Sequence, residues 1–137
     1  MRRLLAVALT LTLVPSAAAA TKHGITPTSP VKGATVKAGS RPTFKGRVSG
    51  RGPVFVSVSR SPRRDKKGVI KSDATTMLQQ AKVVEGRFSA RARFFDFPEF
   101  WLNQPGTYYW QAVRSACPKH GTRDCSQEGP VVRFKVG

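Results

Sequence analysis

The sequence predicts an all-β protein: a single antiparallel β-sandwich of about seven strands. Three observations lead there. Apolar and polar side chains alternate at period 2, most clearly at Phe88, Ala90, Ala92 and Phe94 against Arg87, Ser89, Arg91 and Arg93. Such runs recur at roughly ten-residue spacing, with Gly, Pro and Ser between them. Beyond the first twenty residues no strongly amphipathic helical pattern occurs.

Residues 1–20 are expected to be a removable export signal. Arg2 and Arg3 form a positive start, Leu4 to Val14 an apolar run too short to span a bilayer comfortably, and Ala18 and Ala20 a small-residue cleavage site. Residues 21–30 are read as a flexible lead-in, and residues 31–137 as the folded domain. Within Thr21–Ser40, rich in Pro, Gly, Thr and Ser, a short edge strand is expected. Arg41–Ser49 alternates Phe44, Gly46 and Val48 with Lys45 and Arg47. Pro53–Ser59 places Val54, Val56 and Val58 opposite Phe55, Ser57 and Ser59. Residues 61–68, SPRRDKKG, read as a long exposed loop. Met77–Val84 fits helix or strand by composition and is read as strand, because Glu85-Gly86 makes a tight turn into the alternation that begins at Arg87.

The C-terminal third is the most informative. Pro105-Gly106 turns the chain, after which Tyr108, Trp110 and Ala112 share one face. Val132, Phe134 and Val136 share a face in the last strand, with Arg133 and Lys135 directed oppositely. Phe44, Phe88, Phe94, Leu102, Tyr108, Trp110 and Phe134 are the expected core. Between these two strands Cys117 and Cys125 enclose a short loop. In an exported chain they are expected to form a disulfide, stabilising by roughly 2–3 kcal/mol. A metal site built from Cys117, His120, Asp124 and Cys125 is disfavoured, because the spacing matches no usual zinc pattern.

The motif LNQPGTYYW, residues 102–110, resembles the corner and penultimate strand of fibronectin type III and related immunoglobulin-like domains, with Leu102 and Tyr108 at the spacing of that family's leucine and corner tyrosine. The closing GPVVRFKV resembles the family's last strand. Two departures stand out: Phe44 occupies the position where a strand B tryptophan would pack, and both cysteines lie in one loop, so they cannot bridge the sheets. The resemblance implies a two-layer sandwich in which the strands carrying Lys45/Arg47 and Arg87/Arg91/Arg93 share a sheet.

The formal charge is +17. Removing Arg2 and Arg3 from the 24 basic side chains leaves 22 against 7 acids, or +15. Such a surface attracts polyanions. Lys45, Arg47, Arg87, Arg91 and Arg93 would form one basic face; Arg63, Arg64, Lys66 and Lys67, with Arg60, a second cluster in the loop. Little aromatic interleaving occurs there, which argues against base stacking. Catalysis is not expected. His23 and His120 lie far apart, no strained nucleophile turn is present, and Asp96 and Glu99 flank a proline in a crossover. A hydrolase centred on His120 is the remote alternative. Thr21-Lys22-His23, at a new N-terminus, would offer a weak square-planar site for Cu(II) or Ni(II) through His23. The expected role is a secreted or envelope-associated, non-catalytic binding module. It would need no cofactor or small-molecule substrate, and its partner would be a protein or an anionic polymer such as an envelope polymer, acidic glycan or nucleic acid.

Overall fold

The computed structural model describes residues 20–73, 75–92, 102–115 and 125–137. Ten strands occur among them, and no helix: β1 (Ile25–Ser29), β2 (Thr35–Val36), β3 (Thr43–Val48), β4 (Val54–Ser59), β5 (Met77–Gln80), β6 (Lys82–Val84), β7 (Arg87–Arg91), β8 (Gly106–Ser115), β9 (Ser126–Glu128) and β10 (Val132–Val136). One sheet runs β1-β3-β7-β6. The other runs β2-β10-β8-β4-β5, with β9 also paired to β8. No helix among the described residues is long and apolar enough to cross a membrane.

The core forms where the inward faces of the two sheets meet. Phe44, Phe88, Leu102, Tyr108, Trp110 and Phe134 are all buried; Phe94 lies outside the described residues. Trp110 is the hub. Its ring lies 5.3 Å from Phe44 and 6.4 Å from Phe88, both edge to face, and its Nε1–H donates to the Pro30 carbonyl at 3.1 Å. Tyr108 stacks on Phe134 at 5.8 Å while its hydroxyl donates to the Gln104 carbonyl at 2.9 Å. A large ring is thereby buried without stranding its polar tip. Opposite Phe88 in the β3–β7 register stands Gly46. A Cβ there would run into the Phe88 ring and the Thr26 carbonyl. The glycine in the alternating run is therefore the space that Phe88 fills.

Several sequence expectations are corrected. Among the described residues there are ten strands where about seven were expected, and β2 pairs with β10 in parallel, so the second sheet is mixed. The segment 21–30, expected to be a flexible lead-in, contains β1. Ile25 is fully buried there, and four residue pairs register β1 against β3. Met77–Val84 is not one strand. The chain leaves β5, turns at buried Ala81, whose N–H donates to Val54 O at 2.8 Å, and enters the other sheet as β6. Glu85 and Gly86 then both take positive φ, 51° and 72°, as a two-residue hairpin of the primed kind requires.

The loop after β4 is exposed as expected, and the residues that follow it anchor it to the second sheet. Residues 62–67 are exposed, but Ile70 is buried and Arg64 bridges to Ile70. Asp65 Oδ1 accepts from the N–H of Lys67 at 2.8 Å and of Val69 at 3.0 Å, closing the loop tip. Gln111 holds the loop to β8. Its Oε1 accepts from Ile70 N at 2.9 Å, and its Nε2 donates to Gly68 O and Gly129 O at 2.8 and 2.9 Å. Gln111 alternates with core residues Trp110 and Ala112, so it points out of the second sheet. The loop therefore lies over that sheet's outer face, which explains why Ser57 and Ser59 of β4 are buried as well as the valines.

Candidate anion-binding surface

The first sheet carries its charge on the outer face. In β3 and β7 the inward positions are Phe44, Gly46, Val48, Phe88 and Ala90, so Lys45, Arg47, Arg87, Ser89 and Arg91 face solvent. The strands pair antiparallel with Thr43 opposite Arg91, Lys45 opposite Ser89, and Arg47 opposite Arg87. Strand β6 extends the same face, with Lys82 opposite Ser89 and Val84 opposite Arg87. Lys45, Arg47, Lys82, Arg87 and Arg91 are all exposed.

Strand geometry sets the scale of this patch. Alternate residues along a strand lie about 6.8 Å apart and neighbouring strands about 4.8 Å apart, so five cations occupy roughly 13 by 10 Å. That is close to one Debye length at physiological salt, so their fields add. Arg47 and Arg87 stand directly opposite each other, where Cα atoms are about 4.5–5.5 Å apart and like charges destabilise the pair. No acid occurs on β1, β3, β6 or β7; Glu85 sits in the turn at one end. No ion pair among the described residues involves these five cations.

The remaining expected site residues are distributed elsewhere. Arg63, Arg64, Lys66 and Lys67 belong to the loop over the outer face of the second sheet, so the two basic clusters occupy opposite sides of the sandwich. Arg60 is employed structurally: it donates to Gln104 Oε1 at 2.7 Å and lies 5.2 Å over the Tyr108 ring. Arg93, Cys117, His120 and Asp124 lie outside the described residues, as do Asp96 and Glu99. Cys125 is described, just ahead of β9, and no described cysteine is free.

Near the N-terminus, Lys22 Nζ meets Glu128 Oε1 at 2.8 Å, and the His23 Nδ1–H donates to the Glu128 carbonyl at 3.0 Å. Burial pushes the Glu128 pKa up. The Lys22 hydrogen bond, a backbone N–H and the charges of Lys22 and His23 outweigh that and hold it below the ordinary carboxylate range. The Lys22 N–H is also spent, on Ile25 O at 3.1 Å. Square-planar chelation through His23 would have to break these contacts. No group of three metal-ligating side chains converges among the described residues.

Two contributors escaped the sequence reading. Lys82 was legible in principle: a two-residue turn at 85–86 pairs 84 with 87 and hence 82 with 89, on the charged face. Gln111 was not, since nothing local distinguishes a buried outward amide from a solvated one. Comparison with protein-family models, with curated proteins and with solved structures gave no match.

Proposed function

We propose that this chain is an exported, non-catalytic binding module of the immunoglobulin or fibronectin type III kind, and that it grips an anionic polymer on the outer face of β3, β7 and β6. One observation carries the reading: five exposed cations on one sheet face with no acid among them, two of them directly opposed. An ordinary solvated surface intersperses both signs, and like charges placed opposite cost stability without return unless a polyanion neutralises them. The strand orders β1-β3-β7-β6 and β10-β8-β4-β5 parallel the A-B-E-D and G-F-C-C′ orders of immunoglobulin domains. The bond from Tyr108 to Gln104 supports the same kinship. Export rests on the leader at 1–20, and a Cys117–Cys125 bridge would close the tip ahead of β9.

Salt tests the proposal. Heparin and duplex DNA should bind at low ionic strength. If all five cations contact DNA phosphates, at about 0.9 each, log K should fall with log salt at a slope of about −4.5. Replacing Arg47, Arg87 and Arg91 by Gln should weaken binding and flatten the slope without shifting the melting temperature downward. Binding that ignores salt, or is absent at low salt, removes the reading. A second reading follows from Leu78 on β5 and Val83 and Val84 on β6, large apolar side chains exposed on the two edge strands. They suit a protein partner that docks along an edge. Substituting Gln for Leu78 and Val84 would abolish that contact and leave polyanion binding intact.

A further inference from the structure

A groove of about 520 Å³ opens beside the cationic face. Gln79 and Gln80 of β5, Lys82 of β6, Ser89 and Arg91 of β7, and Arg41 ahead of β3 line it. It exists because the chain changes sheets at Ala81. Strand β5 stays with β4 while β6 joins β7, so the two edge strands part and leave a recess between them. Gln79 spans the gap, its Nε2 donating to the Arg91 carbonyl at 2.8 Å. That bond fixes the amide and leaves its Oε1 as an acceptor for a ligand.

The chemistry of the lining selects among polyanions. A nucleic acid strand is held by cations interleaved with aromatic rings that stack its bases, and among the described residues no aromatic side chain lines this groove. Two carboxamides and a hydroxyl stand among the cations instead. Carboxamides both donate and accept, as a ligand rich in hydroxyls requires, while a guanidinium grips a carboxylate or sulfate in bidentate fashion. The volume falls in the range of small-ligand sites. We infer that the groove binds an acidic sugar unit of a carboxylated or sulfated glycan. Arg91 and Lys82 take the anionic group, Gln79, Gln80 and Ser89 take hydroxyls, and the rest of the polymer runs over Arg87, Lys45 and Arg47. This inference rests on the anionic-polymer reading above and names its ligand class.

The test is calorimetric titration with a sulfated uronate disaccharide, its neutral parent, heparin, and a DNA oligonucleotide of matched charge. The proteins are the native chain, Gln80→Ala/Arg91→Gln in the groove, and Arg47→Gln/Arg87→Gln on the face. All four side chains are at the surface, and thermal melts control for folding. The disaccharide should bind the native chain, lose about tenfold or more in the groove variant, and change little in the face variant. The neutral parent should not bind. If heparin binds through the face arginines but the disaccharide does not bind, or binds as well to the groove variant, the groove assignment falls and the cationic face stands. If the oligonucleotide competes as well as heparin of equal charge, the glycan class is wrong. If no polymer binds even at low salt, both readings fall together.

Discussion

At the scale of single residues, three side chains illustrate how burial is reconciled with polarity. Tyr108 places its ring in the core and its hydroxyl on Gln104 O. Tyr108→Phe keeps the ring and removes one hydrogen bond, so chemical denaturation should report a loss of about 0.5–1.5 kcal/mol. Trp110 is larger and fully buried; its truncation to Ala should cost about 3–5 kcal/mol. Gln111 makes the sharper case, because its amide satisfies Ile70 N–H and two carbonyls at once. Gln111→Leu retains volume but strands those groups, for an expected loss of about 2–4 kcal/mol. Hydrogen exchange should show the Ile70 amide opening far faster than amides of β8. Equal protection of Ile70 in both proteins would show that the amide does not hold the loop.

At the scale of elements, the β3–β7 pair joins a packed inner face to a self-repelling outer one. Gly46 admits the Phe88 ring on the inside, while Arg47 meets Arg87 on the outside. Arg87→Glu converts the like pair into an opposite one and should raise stability by about 0.5–1 kcal/mol, with most of the gain lost at high salt. The same substitution should weaken heparin binding. A variant that is both more stable and a poorer binder would place the cost of the pair in the service of binding. A variant unchanged in both would mark these arginines as inert.

At the scale of the molecule, the N-terminal strand is tied across the sandwich by Lys22, His23 and Glu128. Glu128 has its folded pKa below the ordinary value of 4.5, so its contribution is fully present above that pH and is lost as the pH falls through the folded value. Asp73 shifts the same way, chiefly through the Thr75 side-chain hydrogen bond, at an exposed turn. Urea denaturation across an acid series should show Glu128→Gln running below the native chain near neutrality and converging with it in acid. Parallel curves throughout would mean that the ion pair contributes nothing to anchoring the first strand.

Alternation, charge and turn residues are local properties, and for that reason the all-β class, the inner and outer faces of residues 43–48 and 87–92, and the hairpin at 85–86 were legible in the amino-acid order. An extended chain has two faces, and period 2 tells which is apolar without reference to any partner. Partner choice is another matter. The parallel pairing of β2 with β10, the change of sheet at Ala81, the burial of β1 and the folding of the 61–71 loop over Gln111 depend on which distant surfaces meet. They set the two basic clusters on opposite sides and open the groove between β5 and β6. A strand that crosses from one sheet to the other stays extended throughout, so its composition carries no mark of the crossing. Only the packing of the two layers decides it.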